Sequence, residues 1–122
     1  MPSQPLPPTR RIRRRGEFQR VFDTGRRAHG RYLTIIAAPA PGSASRIGIV
    51  ASRKLGGAVV RNRAKRLIRE VFRLMDKPSD ASVDMVVIPR RELFDAPFSD
   101  LDRDFRALWR RALARLSRTH AQ

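Results

Sequence analysis

Between Ala58 and Met75 the apolar and cationic residues of this chain separate onto opposite sides of a helix. With Val60 at 0° and about 100° per residue, Ala64, Leu67, Ile68, Val71, Leu74 and Met75 fall between about −40° and +80°. Asn62, Lys65, Arg66, Arg69 and Arg73 fall between about 140° and 240°, and Arg61 and Arg63 flank the stripe at about 100° and 300°. Such a segment buries one side in a core and presents the other as a cationic rod about 27 Å long. The core it needs is close by in sequence. Val83 to Ile88 is nearly all apolar, the pattern of a central strand covered on both faces. Arg46 to Ala51 reads as a strand, and Gly56-Gly57 breaks the chain before the helix. Strand, helix and buried strand predict a β-α-β crossover onto one sheet.

The flanking segments supply the remaining layers. Glu17 to Phe22 puts Phe18, Val21 and Phe22 on one helical face, and Asp23-Thr24-Gly25 ends it. Tyr32 to Ala38 predicts a strand, and residues 39–45 predict a loop. That strand and Arg46 to Ala51 are expected to pair as an antiparallel hairpin. A last helix is expected to start near Ser99, with Ser99 and Asp102 as a capping box. Leu101, Phe105, Leu108, Trp109, Ala112 and Leu116 recur along it at helical spacing and should pack on the sheet. Residues 1–9 hold four of the nine prolines and predict a disordered tail. The expected fold is α+β: a single-domain α-β sandwich over residues 10–118, with a mixed sheet and residues 119–122 as a C-terminal tail.

The charge is concentrated. Residues 1–31 hold nine Arg and two acids, and residues 53–73 hold six Arg, two Lys and one acid, +7 in each case. These stretches carry +14 of the net +16, an electrostatic footprint for a polyanion. No apolar run approaches the ~20 residues of a membrane span. With no Cys, the chain has no disulfide scaffold and no thiol nucleophile, which suits a reducing compartment.

Nothing in the sequence assembles a catalytic centre. His29, expected in a turn, and His120 have no sequence-near partner of triad type. Asp100, Asp102 and Asp104 fall in the first turns of a helix, where acids meet the helix dipole favourably. Gly56-Gly57 lacks the rest of a phosphate loop. These features favour a binder of polyanions over a self-sufficient enzyme, and no metal or other cofactor is expected on the protein itself.

One continuous stretch carries a family resemblance. From Arg46 to Glu70 a strand ends in Ser52-Arg53-Lys54, a Gly turn follows, and the helix bears Arg61-Asn62-Arg63, Lys65-Arg66 and Arg69. This closely resembles the protein subunit of bacterial ribonuclease P, and Phe18-x-x-Val21-Phe22 is similar to that family's first helix. The resemblance covers about residues 10–118. It departs at Gly56-Gly57-Ala58, where the family often has Gly-Asn-Ala, and in the first strand, where Tyr32 is the only aromatic and Ile36 stands near the place of a second.

The resemblance implies a fold similar to a domain of a ribosomal small-subunit protein. It also implies a bacterial, cytoplasmic ribonucleoprotein. A large RNA subunit would use Mg²⁺ to remove the 5′ leader of precursor tRNA, while the protein binds both RNAs and lowers the Mg²⁺ requirement. On that basis Arg61, Asn62, Arg63, Arg66, Arg53 and Lys54 are expected at the catalytic RNA. Phe18, Phe22, Tyr32, Thr34, Ile36, Lys65 and Arg69 are expected at the single-stranded leader. Tyr32, Thr34 and Ile36 would share one strand face, opposite Leu33, Ile35 and Ala37. A ribosomal structural protein, a duplex-DNA-binding module and a stand-alone nuclease are the rival readings.

Overall fold

A computed structural model describes residues 8–40, 45–75 and 82–120. A 3-10 turn (Pro8–Arg10) leads to α1 (Arg15–Thr24), β1 (Arg26–His29), β2 (Leu33–Pro39) and β3 (Arg46–Ile49). A second 3-10 turn (Arg53–Leu55) precedes α2 (Ala58–Leu74), then β4 (Val83–Pro89), a third 3-10 turn (Arg91–Asp95) and α3 (Phe98–His120). The four strands form one mixed sheet in the order β1-β2-β4-β3. Residues 1–7 of the predicted 1–9 tail and residues 41–44 of the predicted loop lie outside the described residues, as do Ala121 and Gln122. Thr9 belongs to the first 3-10 turn, and α3 runs through residues 119 and 120.

The expected crossover is present: β3 and β4 are parallel neighbours joined through α2. The expected hairpin is not. β4 lies between β2 and β3, antiparallel to β2 and parallel to β3. The hairpin partner of β2 is instead β1, whose ladder pairs Arg26 with Ala37 and His29 with Thr34. His29 is thus a strand residue rather than a turn residue. β1 (Arg-Arg-Ala-His) carries one apolar side chain, so no alternation marked it. β4, apolar but for Asp84, takes one of the two inner slots, where both of its faces are covered.

Strand alternation gives the sheet two unlike faces. Leu33, Ile35, Ala37, Ile47, Met85 and Val87 pack under α2 and α3, which contribute Ile68, Val71, Phe72, Phe105, Leu108 and Trp109. All six apolar positions expected of the last helix are buried. That helix begins at Phe98, with the Pro97 carbonyl accepting from the Asp100 and Leu101 N–H groups. Asp102 pairs with Arg106 four residues on, rather than closing a box with Ser99. On the other face Ile36, Ala38 and Val86 meet Ile12 and Val21, with Phe18, Phe22, Val50 and Ile88 only half-buried around them. Among the described helices only α1 covers this second face, and it covers it incompletely.

Candidate nucleic-acid interface

Gly56 starts the cationic helix. Its φ of 150° is open to glycine and strained for other residues, and a Cβ there would meet the Val60 side chain. Gly57, the N-cap, has open space where its side chain would be, so only the first glycine of the pair is required by the backbone.

The buried face of α2 comprises Ala64, Ile68, Val71 and Phe72. It is rotated from the expected stripe toward Phe72, at about 120° on the same wheel. Leu67 is half-buried, and Leu74 is 47% and Val59 83% exposed. The rotation follows from having neighbours on two sides, the sheet and α3, which the helical period does not encode.

This rotation sorts the cations. Arg61, Lys65 and Arg69, at successive steps of four residues, form a half-buried row, while Asn62, Arg63 and Arg66 are exposed. Arg61 therefore sides with Lys65 and Arg69. None of Arg61, Arg63, Lys65, Arg66 or Arg69 is ion-paired among the described residues, whereas Arg73 is held by Glu70 at 2.6 Å. The Arg63 guanidinium lies 5.6 Å from the centre of the Phe94 ring. Arg53 and Lys54 are exposed in the turn before the helix, extending the same surface.

Arg66→Ala is expected to leave the melting temperature nearly unchanged, and Ile68→Ala to lower stability by about 2–5 kcal/mol. Thermal melts of the two variants measure this; the reverse order would mean the helix is turned from the orientation described.

The partly open face of the sheet offers a different chemistry. Phe18 and Phe22 sit one helical turn apart on α1 over the sheet. The Phe18 ring lies against Gly48 of β3, where a Cβ would meet it at 2.6 Å, so the glycine makes room for the ring. Beside them on the sheet face, Thr34 pairs across the strands with Ile88, and Ile36 with Val86. The Arg27 guanidinium lies 5.8 Å from the centre of the Phe22 ring, a cation at the rim of the aromatic floor.

Not every residue expected in this cleft takes part. Tyr32 precedes β2 and packs with the opposite core, under Arg31, because the chain bends at residues 31 and 32. Ile36 points to the cleft face as expected, but it is fully buried under α1 and supports the floor rather than lining it. Thr34 is almost buried, its hydroxyl 3.1 Å from Nδ1 of His29. Lys65 and Arg69 lie on α2, which packs on the other face of the sheet, so they stand at its β3 edge rather than on the cleft floor.

An ion-pair cluster that the sequence reading did not single out anchors α1. Asp84, in the middle of the sheet, is fully buried on the α1 face. Arg46 grips it with two hydrogen bonds, Nε to Oδ1 at 2.9 Å and Nη2 to Oδ2 at 2.6 Å. Arg20 of α1 donates to the same carboxylate and, at 2.8 Å, to the Pro39 carbonyl. Arg46 also donates to Glu17 of α1 at 2.5 Å. The Asp84 hydrogen bond raises the Arg46 pKa well above its ordinary value, against the opposing effect of burial. Burial tends to raise the Glu17 pKa, but hydrogen bonds from Arg46 and the Arg14 backbone N–H outweigh it and hold the carboxyl below its usual range. A lone Asp in an apolar strand was the available signal, since a buried carboxylate requires cationic partners.

Comparison with known proteins now bears on this arrangement. The family model described as Ribonuclease P matches residues 6–113. The chain belongs to the ribonuclease P protein family. It is 45% identical over 103 residues to the ribonuclease P protein component of Chloroflexus aurantiacus, covering 84% of this chain and 76% of that one. It is 41% identical over 93 residues to that of Desulfovibrio desulfuricans, covering 75% and 72%. The fold is similar to the solved ribonuclease P proteins of Staphylococcus aureus (TM-score 0.74, 29% identity, 84% of this chain and 94% of that one) and Thermotoga maritima (TM-score 0.72, 32% identity, 82% and 96%).

Membership makes the chain a ribonuclease P component with a role in tRNA processing. The family stretch from Ser52 to Arg69 accounts for most of the exposed cationic surface described above. Two of the three acids on α3 are engaged locally, Asp100 with Arg103 at 2.7 Å and Asp102 with Arg106 at 3.1 Å, while Oδ2 of Asp104 is buried with no hydrogen-bond partner among the described residues. Among the described residues no group of three or more His, Cys, Asp and Glu is placed to hold a metal ion, and no helix is long and apolar enough to cross a membrane.

Proposed function

We propose that this ribonuclease P protein binds the catalytic RNA through the exposed face of α2 and the single-stranded 5′ leader of precursor tRNA through the α1 cleft. The observation that carries this reading is the separation of two surfaces on opposite sides of one sheet. One is a cationic helix on which no described carboxylate pairs with Arg61, Arg63 or Arg66; the other is an apolar cleft with half-exposed Phe18 and Phe22. Arg53, Lys54, Arg61, Asn62, Arg63 and Arg66 serve the structured RNA, where guanidinium forks meet phosphates. Phe18 and Phe22 serve unstacked bases, each stack contributing ~1–3 kcal/mol. Lys65 and Arg69, at the β3 edge, meet the RNA backbone between the two surfaces.

The hydrolysis itself belongs to the RNA subunit and its Mg²⁺. The protein lowers repulsion between two polyanions and so lowers the bulk Mg²⁺ needed, in the bacterial cytoplasm. Reconstitution tests this. Adding the protein to ribonuclease P RNA and precursor tRNA at low Mg²⁺ is expected to restore 5′ cleavage, while the protein alone cleaves nothing. Cleavage by nuclease-treated, RNA-free protein, or an unchanged Mg²⁺ requirement, would overturn the reading.

A further inference from the structure

At the β3 edge of the sheet the N-terminal segment meets α2, where Arg10, Arg11 and Arg69 are in no ion pair among the described residues. Arg11 forms a parallel bridge with Ile47, and the Ile12 N–H donates to the Ile47 carbonyl at 2.8 Å, fixing this backbone beside β3. The neighbouring Arg10 lies 5.2 Å from the centre of the Phe72 ring and donates from Nε to the Ser45 carbonyl at 2.6 Å. These contacts hold the segment against α2. Arg69 stands three residues before Phe72, on the adjoining helix surface, and is half-buried.

Two facts set Arg11 and Arg69 apart from the clamped Arg46. Neither is in an ion pair among the described residues, and Arg11 Nε is buried with no hydrogen-bond acceptor. Burial and then the nearby charge of Arg11 lower the pKa of Arg69, so the two cations act on each other in a partly desolvated place. A buried donor without an acceptor and two like charges without a counter-charge are each unfavourable in the free protein. An oxyanion with several acceptor oxygens would supply the missing counter-charge, and guanidinium forks suit its geometry.

We propose that Arg11 and Arg69 together hold one phosphodiester group of an RNA strand passing the β3 edge. The proposal rests on the RNA-binding reading above and adds to it a site built partly from the N-terminal segment. Lys65 and Arg61 continue from it along α2 at steps of about 6 Å, a track for the phosphates that follow. The phosphate belongs either to the catalytic RNA or to the precursor leader.

The test uses Arg11→Gln, Arg69→Gln and the double variant in the full chain. In low salt without RNA each single variant is expected to melt at or above the temperature of the parent, because a like-charge neighbour has gone. Each is expected to weaken RNA binding about tenfold, and the double variant little more than either single, because one phosphate needs both forks. Arg11→Lys should recover only part of the loss. Weakened binding to ribonuclease P RNA alone assigns the phosphate to that RNA. A loss seen only in the holoenzyme, and only with long-leader rather than one-nucleotide-leader precursor, assigns it to the leader. Unchanged affinity in both arms, additive losses, or single variants that melt below the parent would overturn the proposal. Arg66→Ala is the control: if it weakens RNA binding while Arg11→Gln and Arg69→Gln do not, this site fails and the broader reading stands.

Discussion

Asp84→Ala is expected to destabilise the domain by about 3–5 kcal/mol, the usual consequence of removing one partner of a buried ion pair. Asp84 is the only described carboxylate fully buried in the sheet, and it accepts from both Arg46 and Arg20. Without it the Arg46 guanidinium keeps Glu17 alone, and Arg20 loses the link that ties α1 to β4. A domain of this size has only ~5–15 kcal/mol in hand, so the melting temperature should fall by roughly 10–25 °C. Asp84→Asn retains an acceptor oxygen and the side-chain shape and should lose less. Denaturant titration of both variants measures the difference. A loss under about 1 kcal/mol for Asp84→Ala would place the cluster with ordinary surface pairs. The effect should reach function through α1, because Glu17 and Arg20 flank Phe18 and hold it over Gly48.

Binding to ribonuclease P RNA is expected to weaken about a hundredfold between roughly 50 and 200 mM monovalent salt, if about four cations neutralise phosphates. The estimate follows from a log–log slope near −0.9 per phosphate on duplex-like RNA. The supply of cations is ample: Arg61, Arg63, Lys65, Arg66 and Arg69 are unpaired among the described residues of α2, whereas Arg73 is neutralised by Glu70. Each Arg→Ala at a phosphate contact should reduce the slope by about one. Fluorescence or filter-binding titrations across salt supply the slope, and a flat response would sink the electrostatic account.

Several features were settled by local chemistry and could be read from residues alone. The period of 3.6 placed α2 and α3 within a residue or two, and all six apolar positions named on α3 are buried. The nearly all-apolar run at Val83 to Ile88, broken only by Asp84, marked an inner strand, because a strand covered on both faces needs apolar side chains on both. The basic signature from Ser52 to Arg69 pointed to the family before any fold was known.

Tertiary packing decided the rest. Strand order was beyond the sequence, because alternation says which face a residue takes and not which strand lies beside it; so β4 came between β2 and β3, and the Arg-rich β1 went unseen. The orientation of α2 depended on α3 and the sheet together, which moved Arg61 into the row with Lys65 and Arg69. The bend at Arg31 and Tyr32 sent Tyr32 to the opposite core from Ile36. The Asp84 cluster joins residues 17, 20, 46 and 84, and Arg11 is fixed beside β3 by the bridge to Ile47. Such contacts link segments far apart in the chain. Their strength depends on burial and on the absence of water, and neither exists until the chain has folded.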